Sequence, residues 1–444
     1  MDNNENKNKE TDSPSTQDSS RVNYGSYDPY NPDPRFMPPY PGYEPQKPWY
    51  SKKDDTEIPE GYNPYRAEHS VFFEVYEENK NMLLGTEPLE YEPPHIYAAR
   101  RAHENVLLKN GAFKRLKKDS GFVSLILLLT LAMMYALSFG IAFLQGAVSD
   151  EVFDVITTAL MVVQYVAIFP VVFYVATLGK KNKTRTYFQK PEVSAFYILR
   201  WTVISIGLVY AASIAFNIIF SILESMGVYV NDLSSPLPDT VLEFILYFLA
   251  VVICAPLFEE LLFRGILMTR LMRFGGWFSA ITTGILFGVF HQNHEQMFYA
   301  AAFGILLGFI DIKAGSIIPS IIAHVIFNVY AFVSTVVLSF TNYEECLADP
   351  SIALDGPAIA LYLSNLLDFI IYALIVVAII ALVIEIVRDR SQFKLPKGDS
   401  GLNKGEKLSG YIAHGATVAF IIFMILTITA NSFINFEAIF ELIE

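Results

Sequence analysis

The sequence predicts an all-α membrane protein, a polytopic bundle of about nine transmembrane helices behind a disordered cytoplasmic N-terminal tail. Three observations predict it. Of 444 residues, 53% are apolar and 17% charged, where a soluble domain carries roughly 25% charged residues, and the mean hydropathy is +0.36. Apolar segments long enough, or nearly so, to cross a ~30 Å hydrocarbon layer recur from Gly121 onward. Lys and Arg are confined to alternate breaks between those segments.

Residues 1–94 read as an acidic, Tyr/Pro-rich disordered tail, with 11 of the 23 prolines before residue 66. A stretch such as SYDPYNPDPRFMPPYPGYEP has too few aliphatics to offset the entropy of ordering, although its tyrosines and prolines suit docking on a partner, whose identity is unknown. The N-terminus shows no apolar h-region, so no signal peptide is expected. Residues 95–119 form a basic juxtamembrane segment, whose Arg100, Arg101, Lys109, Lys114, Arg115, Lys117 and Lys118 suit a helix lying on anionic headgroups.

Residues 120–444 are the membrane domain. Its apolar segments span about 121–145, 154–178, 195–222, 241–272, 277–292, 297–312, 316–340, 358–387 and 411–435, the fifth and sixth being short. Sixteen of the 32 Lys and Arg lie in the first 119 residues; the other sixteen fall between Lys180 and Arg200, between Arg264 and Arg273, at Lys313, and between Arg388 and Lys407. The opposite breaks carry acids and no base, as in NYEECLADPSIALDG. Cytoplasmic loops retain positive charge, so nine spans place the N-terminus inside and the C-terminus outside. The net charge of −13 excludes nucleic acid as a partner, and two cysteines, Cys254 and Cys346, make no disulfide framework.

A charge at membrane depth costs about 2.5–3.5 kcal/mol on insertion scales, so each one marks a functional candidate. Most cluster in the fourth to seventh spans, as Glu259-Glu260 with Arg264, Phe287 with His291, and His324 with Asn328. Glu260 and Arg264 stand at i and i+4 on one helix face, where an ion pair offsets much of the cost of burial. Glu259 is rotated about 100° away and points elsewhere. His324 with Asn328, and Phe287 with His291, share faces in the same way. Counted from the turn at Gly275 and Gly276, Glu260 and His291 are at matching depth, and counted from Gly315, His324 and Asn328 fall within one to two turns of it. Pro256 is expected to kink the fourth span and open its backbone near the acids. His294, His414, Asp311 and Glu385 are expected at solvated interfaces; Glu243 and Asp368, near outer helix ends, are open to either reading.

Glu259-Glu260-xxx-Arg264, Phe287-xxx-His291 and His324-xxx-Asn328 resemble the EExxxR, FxxxH and HxxxN motifs of the CPBP intramembrane proteases, a family that includes type II CAAX prenyl endopeptidases and bacterial self-immunity proteins. The likeness covers roughly residues 195–340. It implies peptide-bond hydrolysis within the membrane, with Glu259 and His291 activating water, and the position of Arg264 on Glu260 agrees with that division. His324 and Asn328 suit an oxyanion site, Glu260 and Arg264 a structural pair, and Phe287 the packing that positions His291. No cofactor is required if a carboxylate and an imidazole suffice. The alternative is a divalent metal such as zinc, held by Glu259, His291 and His324. The expected setting is the bacterial cell membrane, and the expected substrate a membrane-embedded or lipidated peptide. Rival readings are a proton-coupled transporter, because midplane Glu, His and Arg also mark ion pathways, and a non-catalytic membrane scaffold.

Overall fold

The computed structural model describes residues 63, 65, 94–178, 186–230, 238–340, 356–398 and 400–434. The tail of residues 1–94 therefore lies outside the described residues, apart from Asn63, Tyr65 and Pro94. The chain divides into two units. One takes in residues 1–43 and 79–107, of which only 94–107 are described; the other takes in 44–78 and 108–444 and holds the membrane helices and the site.

All regular structure among the described residues is helical. In chain order the helices are α1 Pro94–Ala142, α2 Asp150–Thr177, α3 Ala195–Ser225, α4 Val241–Phe274, α5 Gly276–Phe290, α6 His294–Ala314, α7 Ile318–Ser339, α8 Gly356–Arg388, α9 Lys404–Ile412 and α10 Gly415–Phe433. Eight of them are long and apolar enough to cross a membrane, and the shorter α5 is the ninth apolar segment, as its sequence length predicts. The sixth segment, expected to be short at 297–312, is the 21-residue helix His294–Ala314. Two further boundaries differ from expectation. The basic juxtamembrane segment is continuous with the first span in one helix, α1. The last span begins at Gly415, because α9 is a separate helix with its own Asn403/Glu406 capping box and the His414 side chain caps α10.

Exposed Phe139, Tyr174, Phe196, Phe369, Val387 and Leu426 give the bundle an apolar exterior, as lipid contact requires. Without a hydrophobic driving force between lipid-immersed helices, close backbone approach has to hold them together. It does so between α5 and α6: a Cβ at Gly304 would lie 2.7 Å from the Gly284 Cα, so only glycine permits the crossing. α6 is the most enclosed of the eight long spans and also packs on α3 and α7.

The fourth span departs from a simple proline kink. Its α-helical turn Ala255–Glu260 is flanked by wider π-helical stretches, Leu249–Cys254 and Leu261–Met268. Such widenings interrupt the backbone ladder and frequently accompany functional sites. Ala255 N–H donates to Ala250 O, five residues back. The next acceptor in that register, Val251 O, faces Pro256, which has no N–H to give. A side chain from another helix takes its place.

Candidate active site

That side chain is Asn328. From α7 its Nδ2 donates to Val251 O at 2.7 Å, closing the gap that Pro256 leaves and fixing α7 against α4 at the level of the acids. One turn earlier on α7, His324 Nδ1 donates to Glu260 Oε1 at 2.8 Å. The same oxygen accepts from Arg264 Nη1 at 3.1 Å, and Glu260 and Arg264 are both fully buried. The expected i, i+4 pair is present, and His324 is a third member that spacing did not assign. Arg264 also stacks its guanidinium 4.5 Å over the Phe287 ring, which meets both the His291 and the His324 rings edge-on. Phe287 thus packs against Arg264, His291 and His324 together.

Glu259 turns away from this cluster. Its Oε1 accepts from the Tyr165 hydroxyl of α2 at 2.6 Å. Tyr165 lies in a π-helical stretch, Gln164–Ile168, and carries no motif that would distinguish it among 25 tyrosines.

His291 caps the C-terminus of α5 and its Nδ1 contacts Phe287 O at 2.8 Å. A carbonyl oxygen only accepts, so Nδ1 carries the hydrogen and Nε2 of the neutral ring bears the lone pair. The following residue, Gln292, has φ +58, the one left-handed non-glycine among the described residues. Four bonds hold this turn: Tyr135 hydroxyl to Gln292 Oε1, Asn431 Nδ2 to Gln292 O, Asn293 Nδ2 to His291 O, and Gln296 N–H to Asn293 Oδ1 at the start of α6.

Glu259, His291, His324 and Asn328 all line one cavity of about 720 Å³. Its far end is lined by Asp154, Asp239 and Glu243, from the acid-bearing end of the bundle. Among the described residues no three His, Cys, Asp or Glu side chains are grouped so as to hold a metal ion. One oxygen of Glu259 is held by Tyr165, and Nδ1 of His291 and of His324 by a protein acceptor.

Residues 241–330 match the family described as Type II CAAX prenyl endopeptidase Rce1-like. This segment belongs to the CPBP/CAAX protease family. No curated protein and no solved structure matches the chain. The CAAX-protease-like segment runs from α4 into α7 and contains Glu259, Glu260, Arg264, Phe287, His291, His324 and Asn328. The family is one of intramembrane peptidases, and the chain is a multi-pass integral membrane protein with such a domain. Three side chains that brace the site, Tyr165, Tyr135 and Asn431, come from outside the CAAX-protease-like segment.

Other polar residues are not where sequence position alone put them. Asp311, expected to be solvated, is fully buried and its Oδ1 accepts from Ser320 N–H at 3.0 Å. It thereby caps the N-terminus of α7, where Ile317 offers no capping side chain and Pro319 no N–H. His294 is buried beside Phe220, and Glu385 is buried in a 2.8 Å ion pair with Arg200. His414 is half-buried. Glu243 is buried in a capping box with Thr240 at the cavity mouth, and Asp368 is exposed.

Proposed function

We propose that the chain is an intramembrane endopeptidase in which Glu259 and His291 activate water against a peptide bond of a membrane-associated or lipidated substrate. The observation that carries this reading is the separation of the two adjacent acids. Glu260 Oε1 is shared by Arg264 and His324 and its Oε2 is sealed without a partner, while Glu259 and His291 line a shared cavity with Oε2 and Nε2 uncommitted. As water attacks the carbonyl carbon, Glu259 takes its proton and the new C–O bond forms. His291 Nε2 relays that proton to the amide nitrogen, and the C–N bond breaks to release an amine and a carboxylic acid. The oxyanion is met by His324 and by the second amide hydrogen of Asn328. Buried Ala250, Phe287, Ala300 and Phe303 line the same cavity and lower the local dielectric, which strengthens these interactions.

With the basic loops inside the cell, the acid-lined mouth of the cavity faces outward. The substrate is then a peptide segment presented from the outer side of the membrane. The test compares membrane proteomes of cells carrying the wild type, Glu259→Gln or His291→Ala, followed by cleavage of the identified peptide by purified protein. New peptide termini should vanish with both variants although each inserts normally. Full activity in either purified variant would overturn the assignment. Exhaustive chelation with elemental analysis decides between this metal-free chemistry, which should persist, and a metal-dependent one, which should stop.

A further inference from the structure

Two residues from the tail are built into the membrane unit. Asn63 Nδ2 donates to Glu192 Oε1 at 3.0 Å and to Gly315 O at 3.1 Å, and its Oδ1 accepts from Tyr65 N–H at 3.0 Å. The receiving surface joins two distant loops: Glu192 N–H donates to Ala314 O and Ile317 N–H to Tyr187 O. Gly315 makes room for the amide. Its φ is +67, and a Cβ there would stand 2.5 Å from Asn63 Nδ2. Tyr65 is then completely buried, although its hydroxyl has no hydrogen-bond partner. The phenol lies within electrostatic reach of Asp311, Tyr187, Glu260 and Arg264. Burial foremost, and then the Asp311 charge, push it well above the usual tyrosine range, so it remains a neutral donor. Asp311 Oδ1 caps α7, and its Oδ2 is buried without a partner.

The geometry points to Asn63 and Tyr65 as a clip that positions the catalytic end of α7, with Asn63 holding the Gly315 carbonyl in the turn that leads into that helix and the buried Tyr65 ring anchoring the pair. Asp311 caps α7 at Ser320, one turn before His324, so a turn held in place fixes where that imidazole meets Glu260. Asn63 and Tyr65 are positioning residues, acting through the α6–α7 turn and touching no substrate. This role rests on the proteolytic reading of the site; the docking of the clip does not.

Two measurements on the full chain separate them. In hydrogen exchange of the purified protein in detergent, the Tyr65 amide and those in the first turn of α7 should exchange slowly in the wild type and faster together in Asn63→Ala, which removes the acceptor of the Tyr65 N–H. Fast exchange of the Tyr65 amide in the wild type, or an unchanged α7, overturns the clip whatever the enzyme does. In peptide cleavage, Asn63→Ala should lower kcat about fivefold with KM unchanged, the scale of one neutral hydrogen bond. Tyr65→Ala should give a similar loss, and the double variant no more than either single one. Unchanged kcat in Asn63→Ala, or losses that multiply, sinks the positioning role. A wild type that cuts nothing sinks the proteolytic reading instead, and the exchange result still stands on its own.

Discussion

Removing Glu260 and removing Arg264 should have unequal consequences, and removing both should separate stability from chemistry. Glu260→Ala removes the ion-pair partner of a completely buried guanidinium and leaves it stacked on the Phe287 ring face, 4.5 Å from the centroid. Breaking a buried pair in this way costs about 3–5 kcal/mol. Arg264→Met is milder, because Glu260 keeps the 2.8 Å bond from His324. The loss is then one charge-assisted hydrogen bond, about 1.5–3 kcal/mol. In Glu260→Met with Arg264→Met no buried charge is stranded, and stability should return to within about 1 kcal/mol of wild type. Activity should not return, since His324 has lost the carboxylate that orients it. A thiol-reactive dye suits the stability assay, because Cys254 is buried and reports unfolding. Peptide cleavage is followed in parallel. A double variant that is stable and fully active would refute the role given to the His324–Glu260 bond, and an Arg264→Met variant less stable than Glu260→Ala would refute the reasoning about charge.

Three further outcomes follow from other contacts. Asn328→Ala should cost about 1–3 kcal/mol by stranding Val251 O, and Pro256→Ala, which supplies an N–H to α4, should recover part of that loss, so unfolding energies that simply add would contradict the proposed bond exchange. Tyr165→Phe removes the 2.6 Å bond to Glu259 and should lower kcat about tenfold or more, the equivalent of about 1.5–3 kcal/mol for a bond to a charged group, with insertion and stability nearly unchanged; wild-type kcat would show that Glu259 needs no brace. At Glu406, backbone donation from Asn403 holds the carboxyl below its ordinary value of 4.5, so its stabilisation of α9 is present above that value and is lost as pH falls through the lower folded one. Glu406→Gln should flatten that acid limb in a pH series of unfolding curves, and an unaltered limb would assign it to other groups.

Much of the scaffold is legible in the sequence because lipid imposes two coarse demands, apolar length and internal satisfaction of charge. The first marks the nine apolar segments, including a fifth that is genuinely short. The second makes Glu260 and Arg264 a pair from i, i+4 spacing alone. Counting from turns gives height along a helix axis and nothing about rotation around it. His324 was therefore placed at the right level for Glu260 without being assigned to it, and Tyr165 could not be distinguished from other tyrosines in apolar runs. Proximity to a turn is likewise no measure of exposure: Asp311 lies four residues before Gly315 yet is sealed, with Tyr65 from far upstream packed near it. The exchange of an α4 backbone donor for Asn328 depends on a π-helical register that apolar periodicity does not encode.

The two neighbouring acids raise a problem that the fold resolves by rotation. Two carboxylates in a low-dielectric site disfavour each other's ionisation, so one would ordinarily be neutralised. About 100° of helical rotation instead delivers them to different partners. Glu260 meets Arg264 and His324, whereas Glu259 faces a single phenol donor and the cavity. The Tyr165 bond holds one oxygen of Glu259 and leaves the second without a bond. That support comes from α2, outside the segment that matches the CAAX endopeptidase family, and the bracing of the His291 turn comes from α1 and α10. Reactive groups on α4 to α7 thus depend for their geometry on the surrounding helices. A graft of residues 241–330 alone would carry every motif residue and lack the contacts that aim Glu259 and His291.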